Sequence, residues 1–538
     1  MGWAGNVGIA SLWGFALVGI DAVAVRVEAH ARSGLPGVSI VGLPGAAVRE
    51  ARERVRSGAA SSGVPLPTRR ITVNLSPGDV PKDGPGFDLP MALATLAACG
   101  QLPAAALQNV GAVGEMSLDG LIRTTRGMLS VAETADRLGV ELLVAPLEAL
   151  PVVTALGQVP VVGVRSLAEA IAVITSPSAR ERAAERGRRW LRLRGERVSH
   201  PPALSPDLSE VIGQEQAKRA LEIVAAGGHH LLMVGSPGAG KTMLARRLPG
   251  ILPPLSREEA LDVTRVWSAA GLPGTHGELA TERPFRAPHH TASRAALVGG
   301  GLTLRPGEVS LAHHGVLFLD ELPEFSRDAL EALREPLEEG RISISRRIGT
   351  SVFPAACTLV GVMNPCPCGY LGHEQRACRC PSSAVERYRS RLSGPLLDRI
   401  DALIEVSPLT LFSLESGRRG DTSASVRSRV LAAREFRADR ERHRRCGNSD
   451  AATAASGARP SGRAATALGA EASAGLREDA RSLLRQALVK EGLSGRAYSR
   501  VIALARTIAD LDGAASVRME HVAEALALRL DYQRVGLS

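Results

Sequence analysis

The 538-residue chain has few aromatic residues, few cysteines and no long apolar run. Aromatic residues make up only 3% of it, so aliphatic side chains must fill the cores, and the hydrophobic share of 45% is sufficient for globular domains. No apolar stretch approaches the ~20 residues of a membrane-spanning helix, and the N-terminus lacks the basic region and cleavage site of a secretory signal. These absences argue against a membrane or secreted protein and predict a cytoplasmic one with no membrane partner.

The charge balance is basic, with 65 Lys and Arg residues against 55 Asp and Glu residues and a net charge of +10. An excess of this sign favours an anionic partner such as nucleic acid or an acidic membrane surface, without choosing between them. An Arg-rich, Ala-rich gene composition is an alternative origin of the excess. The partner must therefore be inferred from the motifs.

The order of predicted elements indicates an α/β protein of about three domains. Strands and helices alternate through residues 1–174, and residues 204–408 carry the chemical motifs. Between them, residues 175–203 are rich in Arg and Glu and predict an exposed basic linker, partly helical. From 409 to 538 the periodicity is that of a helical domain, interrupted at 448–475 by a Gly-, Ala- and Ser-rich stretch that predicts a flexible insertion.

The strongest motif is a glycine-rich loop between a buried strand, LLMV, and a helix, TMLARRL. It matches G-x-x-x-x-G-K-T and consists of Gly235, Ser236, Pro237, Gly238, Ala239, Gly240, Lys241 and Thr242. In this context the backbone N–H groups of the loop bind phosphate oxygens. Lys241 is expected to reach the β and γ phosphates of ATP, and Thr242 to bind Mg²⁺.

Two further strands are each followed by polar residues that suit the same site. The strand VLFL precedes Asp320, which fits a second Mg²⁺ ligand, and Glu321, which is placed to polarise the attacking water as a general base. The strand TLVGVM precedes Asn364, whose amide would orient that water. An ordinary Asn-Pro turn is the alternative interpretation of Asn364.

Together the phosphate loop, LFLDELPEF, MNPCPCGY and LSGPLLDRID resemble the magnesium-chelatase-type branch of the AAA+ ATPases. More closely, they resemble the ComM/YifB family of competence-related, helicase-like ATPases, over essentially the whole chain. The resemblance implies a P-loop AAA+ core with a helical lid, a homo-hexameric ring, and Asn364 as sensor 1. It also implies Arg399 as the arginine finger of a neighbouring site and Arg496 as sensor 2, with Arg500 as the alternative.

Between the phosphate loop and Asp320, the segment RPFRAPHHTASRAALVGGGLTLRPGEVSLAHHG is too long for a simple connection, and the resemblance implies an insert directed toward the ring pore. Its adjacent histidines, His289 and His290, would point apart in a strand and do not predict a metal site. Beyond Asp320, GRISISRRIGTSVFPAA predicts a hairpin with Arg346 and Arg347 near its tip. The resemblance implies that such a hairpin lines the pore, where basic groups can follow a DNA backbone; an ordinary exposed hairpin is the alternative.

The first domain resembles the proteolytic domain of Lon in PKDGPGFDLPMALA and GEMSLDGLIRTTRGML. The serine nucleophile of that family falls on Gly86 here, and its lysine falls on Leu129. Because a Ser–Lys dyad needs a hydroxyl and an amine within hydrogen-bonding reach, the domain is predicted not to be a peptidase. Ring assembly or partner binding is expected instead.

Four of the seven cysteines follow Asn364 as two Cys-x-Cys pairs, Cys366 with Cys368 and Cys378 with Cys380. Residues i and i+2 of an extended segment face the same way, so a hairpin would bring all four sulfurs together. In a cytoplasmic protein thiols are mostly reduced, and four thiolates suit tetrahedral Zn²⁺. A structural zinc site is predicted, with His373 as a substitute ligand; a reversible disulfide and free thiols are the alternatives.

These motifs predict an ATPase that uses Mg²⁺, and the family resemblance implies that it acts as a ring motor on single-stranded or branched DNA. The family resemblance suggests branch migration or helicase-like activity in recombination or natural transformation. A magnesium-chelatase motor subunit is a second hypothesis, although the chelatase ATPase subunit lacks the Lon-like domain. A protein-remodelling ATPase is a third.

Overall fold

The computed structural model describes residues 8–157, 159–197, 206–272, 279–301, 304–346, 349–408, 420–447, 475–491 and 494–534. It is a mixed α/β structure, as predicted, with two large sheets followed by a group of helices. None of the described helices combines the length and apolar character needed to cross a bilayer.

The N-terminal unit is built on a seven-stranded mixed sheet. The strands of the N-terminal unit, seven of which form this sheet, are β1 (Ile9–Val18), β2 (Asp21–Arg32), β3 (Gly37–Val41), β4 (Arg70–Ser76), β5 (Val110–Ala112), β6 (Glu115–Met116), β7 (Ile122–Arg123), β8 (Leu142–Pro146) and β9 (Val161–Val164). The sheet order is β3-β4-β2-β1-β5-β8-β9, and β6 pairs only with β7. The helices are α1 (Ala46–Ser61), α2 (Asp88–Ala98), α3 (Met128–Arg137), α4 (Leu150–Val153), α5 (Leu167–Thr175) and α6 (Pro177–Arg197). Every residue of α2 is buried, which explains why its sequence, DLPMALATLAA, is apolar on all faces.

The segment 175–203, expected to be an exposed linker, contains the whole of α6. This helix packs on the N-terminal sheet, because Ala183 is buried in the same hydrophobic core. Arg186 adds an ion pair of 3.0 Å to Glu169. Residues 198–203 lie outside the described part of the chain.

The central unit contains a five-stranded parallel sheet of order β11-β14-β17-β10-β18. Its strands and hairpins are β10 (Leu231–Val234), β11 (Phe285–Arg286), β12 (Gly299–Gly300), β13 (Arg305–Pro306), β14 (Val316–Leu319), β15 (Arg341–Arg346), β16 (Gly349–Pro354), β17 (Thr358–Met363) and β18 (Ala402–Glu405). Its helices are α7 (Glu215–Gly227), α8 (Lys241–Ala245), α9 (Leu248–Ile251), α10 (Arg257–Ala270), α11 (Arg294–Val298), α12 (Glu308–Leu311), α13 (Arg327–Glu331), α14 (Arg334–Glu339), α15 (Ser382–Arg389) and α16 (Gly394–Leu397). The inner strands are buried along their whole length, as is usual for a parallel sheet covered on both faces. The carboxyl ends of all five strands meet at one edge.

The predicted hairpin after Asp320 is present as β15 and β16, which pair antiparallel from Arg341 opposite Pro354 to Arg346 opposite Gly349. Arg347 and the side chain of Arg346 lie outside the described part of the structure. The proposed contact of these arginines with DNA therefore remains a prediction.

The C-terminal unit is helical, with α17 (Ser423–Gly447), α18 (Glu478–Glu491), α19 (Gly495–Leu511) and α20 (Met519–Arg534). These helices share one hydrophobic core with α7 and β10, to which Val430 and Ile502 contribute. The core of the parallel sheet therefore continues into the C-terminal helices. Of the predicted insertion 448–475, only Gly475 lies within the described residues.

Candidate nucleotide site

The glycine-rich loop leaves the carboxyl end of β10 in the middle of the parallel sheet and leads into α8. Gly238 and Gly240 have left-handed backbones, with φ of 81° and 92°, so the loop can curl over the start of the helix. At Gly235 a Cβ atom would collide with the carbonyl oxygen of Val406. The local sequence thus permits the tight, amide-lined turn that binds phosphate groups.

Lys241 is buried, and its Nζ donates to three oxygens around the loop. These are the carbonyl oxygens of Gly235 at 2.6 Å and Ser236 at 2.9 Å, and Oδ1 of Asn364 at 3.2 Å. Burial lowers the pKa of Lys241, against the attraction of Asp320. The Oγ atom of Ser236 is buried with no hydrogen-bond partner among the described residues. An ammonium group and an unsatisfied hydroxyl at the mouth of an amide-lined loop fit a polyphosphate ligand.

Asp320 and Glu321 follow β14 at the same edge of the sheet. The hydroxyl of Thr242 donates to Oδ2 of Asp320 at 3.0 Å, and a hydroxyl beside a carboxylate is a suitable pair of ligands for Mg²⁺. Glu321 has a left-handed backbone with φ of 51°, and its N–H donates to Oδ1 of Asp320 at 2.9 Å. The Glu321 side chain is 55% exposed, so water reaches its carboxylate.

His290 is a residue of this site that the sequence interpretation missed. Its Nδ1 lies 3.1 Å from Oε2 of Glu321. In the sequence, the adjacent histidines were considered only as metal ligands and not as partners of a carboxylate. The position of the His-His pair, which begins three residues after the edge strand β11, could have indicated that it lies at the same edge of the sheet as Glu321.

Asn364 follows β17, which is paired in parallel with β10 so that Met363 lies opposite Val234. The structure therefore brings Asn364 directly beside the phosphate loop, and the N–H of Gly235 donates to the carbonyl of Met363 at 3.3 Å. The phenol of Tyr388 on α15 is hydrogen-bonded to the backbone of Asn364, and burial raises the pKa of that phenol to about 12. This buried contact fixes the end of β17.

Arg399 and Arg496 are not brought to the phosphate loop of their own chain. Arg399 is 7% exposed and pairs with Glu338, while its Nε donates to the carbonyl of Arg334 at 3.0 Å. Arg496 is 60% exposed and approaches the same Glu338 at 4.0 Å. Arg500 pairs with the buried Asp401.

These three arginines lie at the amino ends of the strands. Asp401 immediately precedes β18, and its Oδ2 accepts the N–H of His230, which immediately precedes β10. The phosphate loop leaves the other end of β10, and four residues of strand separate the two edges by roughly 13 Å. Arg399 and Arg496 are therefore placed away from the phosphate loop of their own chain, and their roles as arginine finger and sensor 2 stay predictions.

The four cysteines of the Cys-x-Cys pairs do converge. Cys366 Sγ lies 3.4 Å from Cys368 Sγ, and Cys378 Sγ lies 3.6 Å from each of them. All four ligand atoms, that of Cys380 included, are within 4.8 Å of one another. Tetrahedral coordination at Zn–S distances of about 2.3 Å places sulfurs about 3.8 Å apart, whereas a disulfide bond is about 2.05 Å long.

The pKa values of two thiols in this cluster are shifted in opposite directions. Backbone N–H groups of Arg379 and Tyr370 lower the pKa of Cys368 to about 6. The backbone N–H of Cys380 acts in the same direction on Cys378, but desolvation and the neighbouring thiols outweigh it and raise the pKa of Cys378 to about 12. Because thiolates repel one another, all four ionise together only around a metal ion.

His373, the predicted substitute ligand, is engaged outside the cysteine cluster. Its Nδ1 accepts the backbone N–H groups of Gln375 at 3.1 Å and Arg376 at 3.2 Å. The metal-binding arrangement among the described residues of this segment is therefore the four sulfurs.

Three family models match successive parts of the chain. Residues 207–413 match the model described as magnesium chelatase, subunit ChlI; residues 27–149 match subunit ChlI of Mg-chelatase; and residues 420–529 match the C-terminal part of subunit ChlI. The three matches together reach from the N-terminal sheet to the last helices.

Individual relatives are similar over nearly the full length. The uncharacterized protein YifB of Salmonella typhimurium is 42% identical over 517 residues, which cover 96% of each chain. The competence protein ComM of Haemophilus influenzae is 41% identical over 527 residues, which cover 97% of each chain. The magnesium-chelatase 67 kDa subunit of Chlorobaculum parvum is 27% identical over 163 residues, which cover 29% of this chain and 23% of that one.

Proposed function

The chain belongs to the ComM/YifB family of magnesium-chelatase-type AAA+ proteins, and from this premise we propose that it hydrolyses ATP to drive a ring motor on single-stranded or branched DNA. The observation that carries the proposal is the convergence of Lys241, Thr242, Asp320 and Asn364 around one phosphate-binding loop. The family assignment supports an ATPase motor. The DNA substrate and a role in recombination or natural transformation are the finer part of the proposal.

The chemistry assigned to each side chain follows from its position. ATP with Mg²⁺ would supply the phosphoanhydride bond and the cation that neutralises its charge. Lys241 would bind the terminal phosphates, and Thr242 with Asp320 would hold Mg²⁺. Glu321 would accept the proton of the attacking water, which its exposed carboxylate can reach, and Asn364 would orient that water.

DNA is favoured as the partner by charge and by the relative named for competence. The net charge is +10, and the insert between β11 and β14 presents Arg294 and Arg305 on its exposed surface. The chelatase hypothesis shares the three family models, but it has weaker support from an individual relative, because the magnesium-chelatase subunit of Chlorobaculum parvum is similar over only 29% of this chain. Among the residues that the structure describes, no specific contact favours a protein-remodelling role.

The separation of the two sets of residues supports a ring, with a homo-hexamer as the proposed form. The phosphate loop lies at one edge of the sheet, and Arg399 and Arg496, which the family resemblance assigns to the nucleotide site, lie at the other edge. A head-to-tail contact between copies would bring the two edges together and close into a ring. Mixing Lys241→Ala protein with Arg399→Ala protein and measuring ATP hydrolysis tests this arrangement. If Arg399 acts across the interface, up to about a quarter of the sites in a randomly mixed ring combine an intact Lys241 with an intact Arg399 and become active. If Arg399 acts within its own chain, no site becomes active.

For the N-terminal unit we propose a Lon-like fold that has lost peptidase chemistry. Gly86 has no side chain, and a Cβ built there would lie 3.6 Å from Oγ1 of Thr125. Leu129 is buried in α3 and offers no amine. Lys82 keeps an amine nearby in sequence, but its side chain is fully buried and donates to the carbonyl of Pro77.

For the cysteines we propose a structural Zn²⁺ held by Cys366, Cys368, Cys378 and Cys380. Four sulfurs complete a tetrahedral shell, so the metal would keep no position for a reacting water. Zinc content of the purified protein, with Cys378→Ser as the control, tests the assignment. A metal content near zero would contradict it.

The function is tested by measuring ATP hydrolysis alone and with single-stranded, duplex and four-way-junction DNA, beside a Lys241→Ala control. We expect stimulation by DNA that the control abolishes, and preference for the junction would support branch migration. Hydrolysis that is indifferent to all three DNAs would contradict the DNA motor and turn attention to porphyrin and polypeptide substrates.

A further inference from the structure

The cysteine-bearing segment 366–380, called here the knuckle, lies directly on the phosphate loop. Gly369 has a left-handed backbone, with φ of 84°, and faces the ring of Pro237. A Cβ atom built on Gly369 would lie 2.5 Å from Cδ and 2.7 Å from Cγ of Pro237, and 3.7 Å from Cγ of Asn364. The backbone of the knuckle therefore packs against Pro237 with no room for a side chain at Gly369, and it passes close to Asn364.

The remaining contacts of the knuckle fix this position. Cys366 is fully buried, and the N–H of Gly369 donates to its carbonyl at 2.9 Å. On α15 the guanidinium of Arg389 donates twice to the carbonyl of Pro365, at 3.3 and 3.2 Å. Gly369 directly follows Cys368, so any displacement of the sulfur cluster displaces the atoms that touch Pro237.

We infer that the knuckle is a positioning element of the nucleotide site, in which the four sulfurs gathered on a metal hold Gly369 against Pro237 and so set the phosphate loop and Asn364 for ATP. This inference rests on the proposed ATPase function and on the proposed zinc. It adds that nucleotide affinity depends on the metal, although no sulfur touches nucleotide. A merely local stabiliser of the knuckle would leave nucleotide affinity unchanged.

The chain offers a matched pair of glycines for the test. Gly369 and Gly372 both lie in the knuckle with left-handed backbones, at φ of 84° and 80°. A Cβ at Gly372 has no heavy atom within 4 Å, whereas one at Gly369 overlaps Pro237. Alanine at either position therefore destabilises the left-handed backbone by a similar free energy. Only Gly369→Ala also places a Cβ atom against Pro237 of the phosphate loop.

We expect Gly369→Ala to weaken binding of a fluorescent ATP analogue at least about tenfold, since small misplacements in a preorganised site are costly. Gly372→Ala should bind within about twofold of wild type, because it adds no contact to the loop. Both variants should keep the zinc content of wild type and show a similar small fall in melting temperature, because the two positions have a similar backbone cost. Adding Pro237→Ala to Gly369→Ala removes the overlapping ring atoms, so binding should return to the level of Pro237→Ala alone.

A second arm varies the metal and keeps the sequence. Stripping zinc with a chelator should weaken analogue binding, and adding Zn²⁺ back should restore it. Equal binding by the two glycine variants, or unchanged binding after zinc is stripped, would overturn the inference while leaving the ATPase proposal intact. Absence of analogue binding by the wild-type protein would overturn the ATPase proposal and this inference together.

Discussion

Replacing Arg500 by alanine is expected to destabilise the contact between the parallel sheet and the C-terminal helices, whereas replacing Arg496 is not. The Arg500 side chain is 15% exposed and forms an ion pair with Asp401, which is only 4% exposed. Arg500 Nη1 also donates to the carbonyl of Arg399 at 2.9 Å. Arg496 is 60% exposed and lies at the limit of an ion pair with Glu338.

The size of the effect follows from what remains after truncation. In Arg500→Ala the buried Asp401 keeps the N–H of His230 at 2.7 Å and His229 Nδ1 at 3.7 Å but loses the Arg500 guanidinium, and breaking a buried ion pair in this way costs roughly 3–5 kcal/mol. Since 1 kcal/mol shifts the melting temperature of a domain of roughly 150–250 residues by about 2–4 °C, the melting temperature should fall by at least about 6 °C. Arg496→Ala should change stability by less than about 0.5 kcal/mol, as surface substitutions usually do.

The assay is thermal unfolding of the full chain, followed by fluorescence and by calorimetry. Adding Asp401→Asn to Arg500→Ala should recover part of the loss, because the amide still accepts the N–H of His230 and leaves no buried charge. If Arg496 is sensor 2, its alanine variant will hydrolyse ATP slowly at an unchanged melting temperature. An Arg500→Ala protein that melts within about 1 °C of wild type would refute the structural role of Arg500.

Three further predictions concern the nucleotide site and its surroundings. Glu321→Gln should retain nucleotide binding and lose hydrolysis by ~10²-fold or more, as measured by equilibrium binding and phosphate release. His290→Ala should lower kcat about tenfold at constant KM by freeing the Glu321 carboxylate, whereas His289→Ala should not; equal effects would contradict the pairing. Burial lowers the pKa of His313 in the folded protein to about 3. As the pH falls below about 6.5, His313 is therefore protonated in the unfolded chain but not in the folded one, and the free energy of unfolding should drop by about 2 kcal/mol between pH 7 and 5. His313→Gln should make that loss shallower in unfolding measured across pH, and an unchanged slope would contradict it.

The phosphate loop was open to prediction because its signal is local. A buried strand, a glycine turn and a helix starting at Lys241 are contiguous in sequence, and each part favours the same structure. Asp320 and Asn364 could be predicted for a related reason, since both directly follow apolar strands of one parallel sheet. The carboxyl ends of such strands meet at a single edge, so their distance in sequence does not separate them in space.

Contacts that depend on tertiary packing were not predictable from the pattern. Glu338 is separated from Arg399 by 61 residues, and nothing in either segment indicates their pairing. Arg496 and Arg500 are four residues apart on α19 and share one helical face, so periodicity cannot tell an exposed arginine from one bound to Asp401. Burial distinguishes them only once the fold is known.

The linker prediction shows a different limit. Composition alone predicted that the segment containing α6 is exposed, because Arg and Glu residues dominate the average hydropathy of 175–203. Two small residues one turn apart, Ala183 and Gly187, are buried, and the half-buried Arg186 adds its ion pair to Glu169. A few residues on the inner face of a helix are enough to dock it, and that signal disappears in a mean over the segment.

The N-terminal unit is joined to the parallel-sheet unit through the turn between β1 and β2. Ile20 of this turn is buried in the hydrophobic core beneath β15 and β16, and a Cβ on Gly19 would lie 3.2 Å from Cβ of Ser351. The hydroxyl of Ser130 on α3 donates to the carbonyl of Ile20 at 2.5 Å, which holds the turn from the N-terminal side.

The start of α3 is attached to the central unit as well, because the N–H of Gly127 donates to the carbonyl of Ser268 at 3.1 Å and Arg265 pairs with Glu133 at 3.0 Å. The turn thus packs against the β15–β16 hairpin, while α3 and the residue before it are bonded to α10. Packed interiors have low compressibility and transmit strain, so we expect a shift at the base of the hairpin to move the turn and α3 as well. A unit without catalytic residues at Gly86 and Leu129 is then still mechanically connected to the hairpin that is proposed to line the pore.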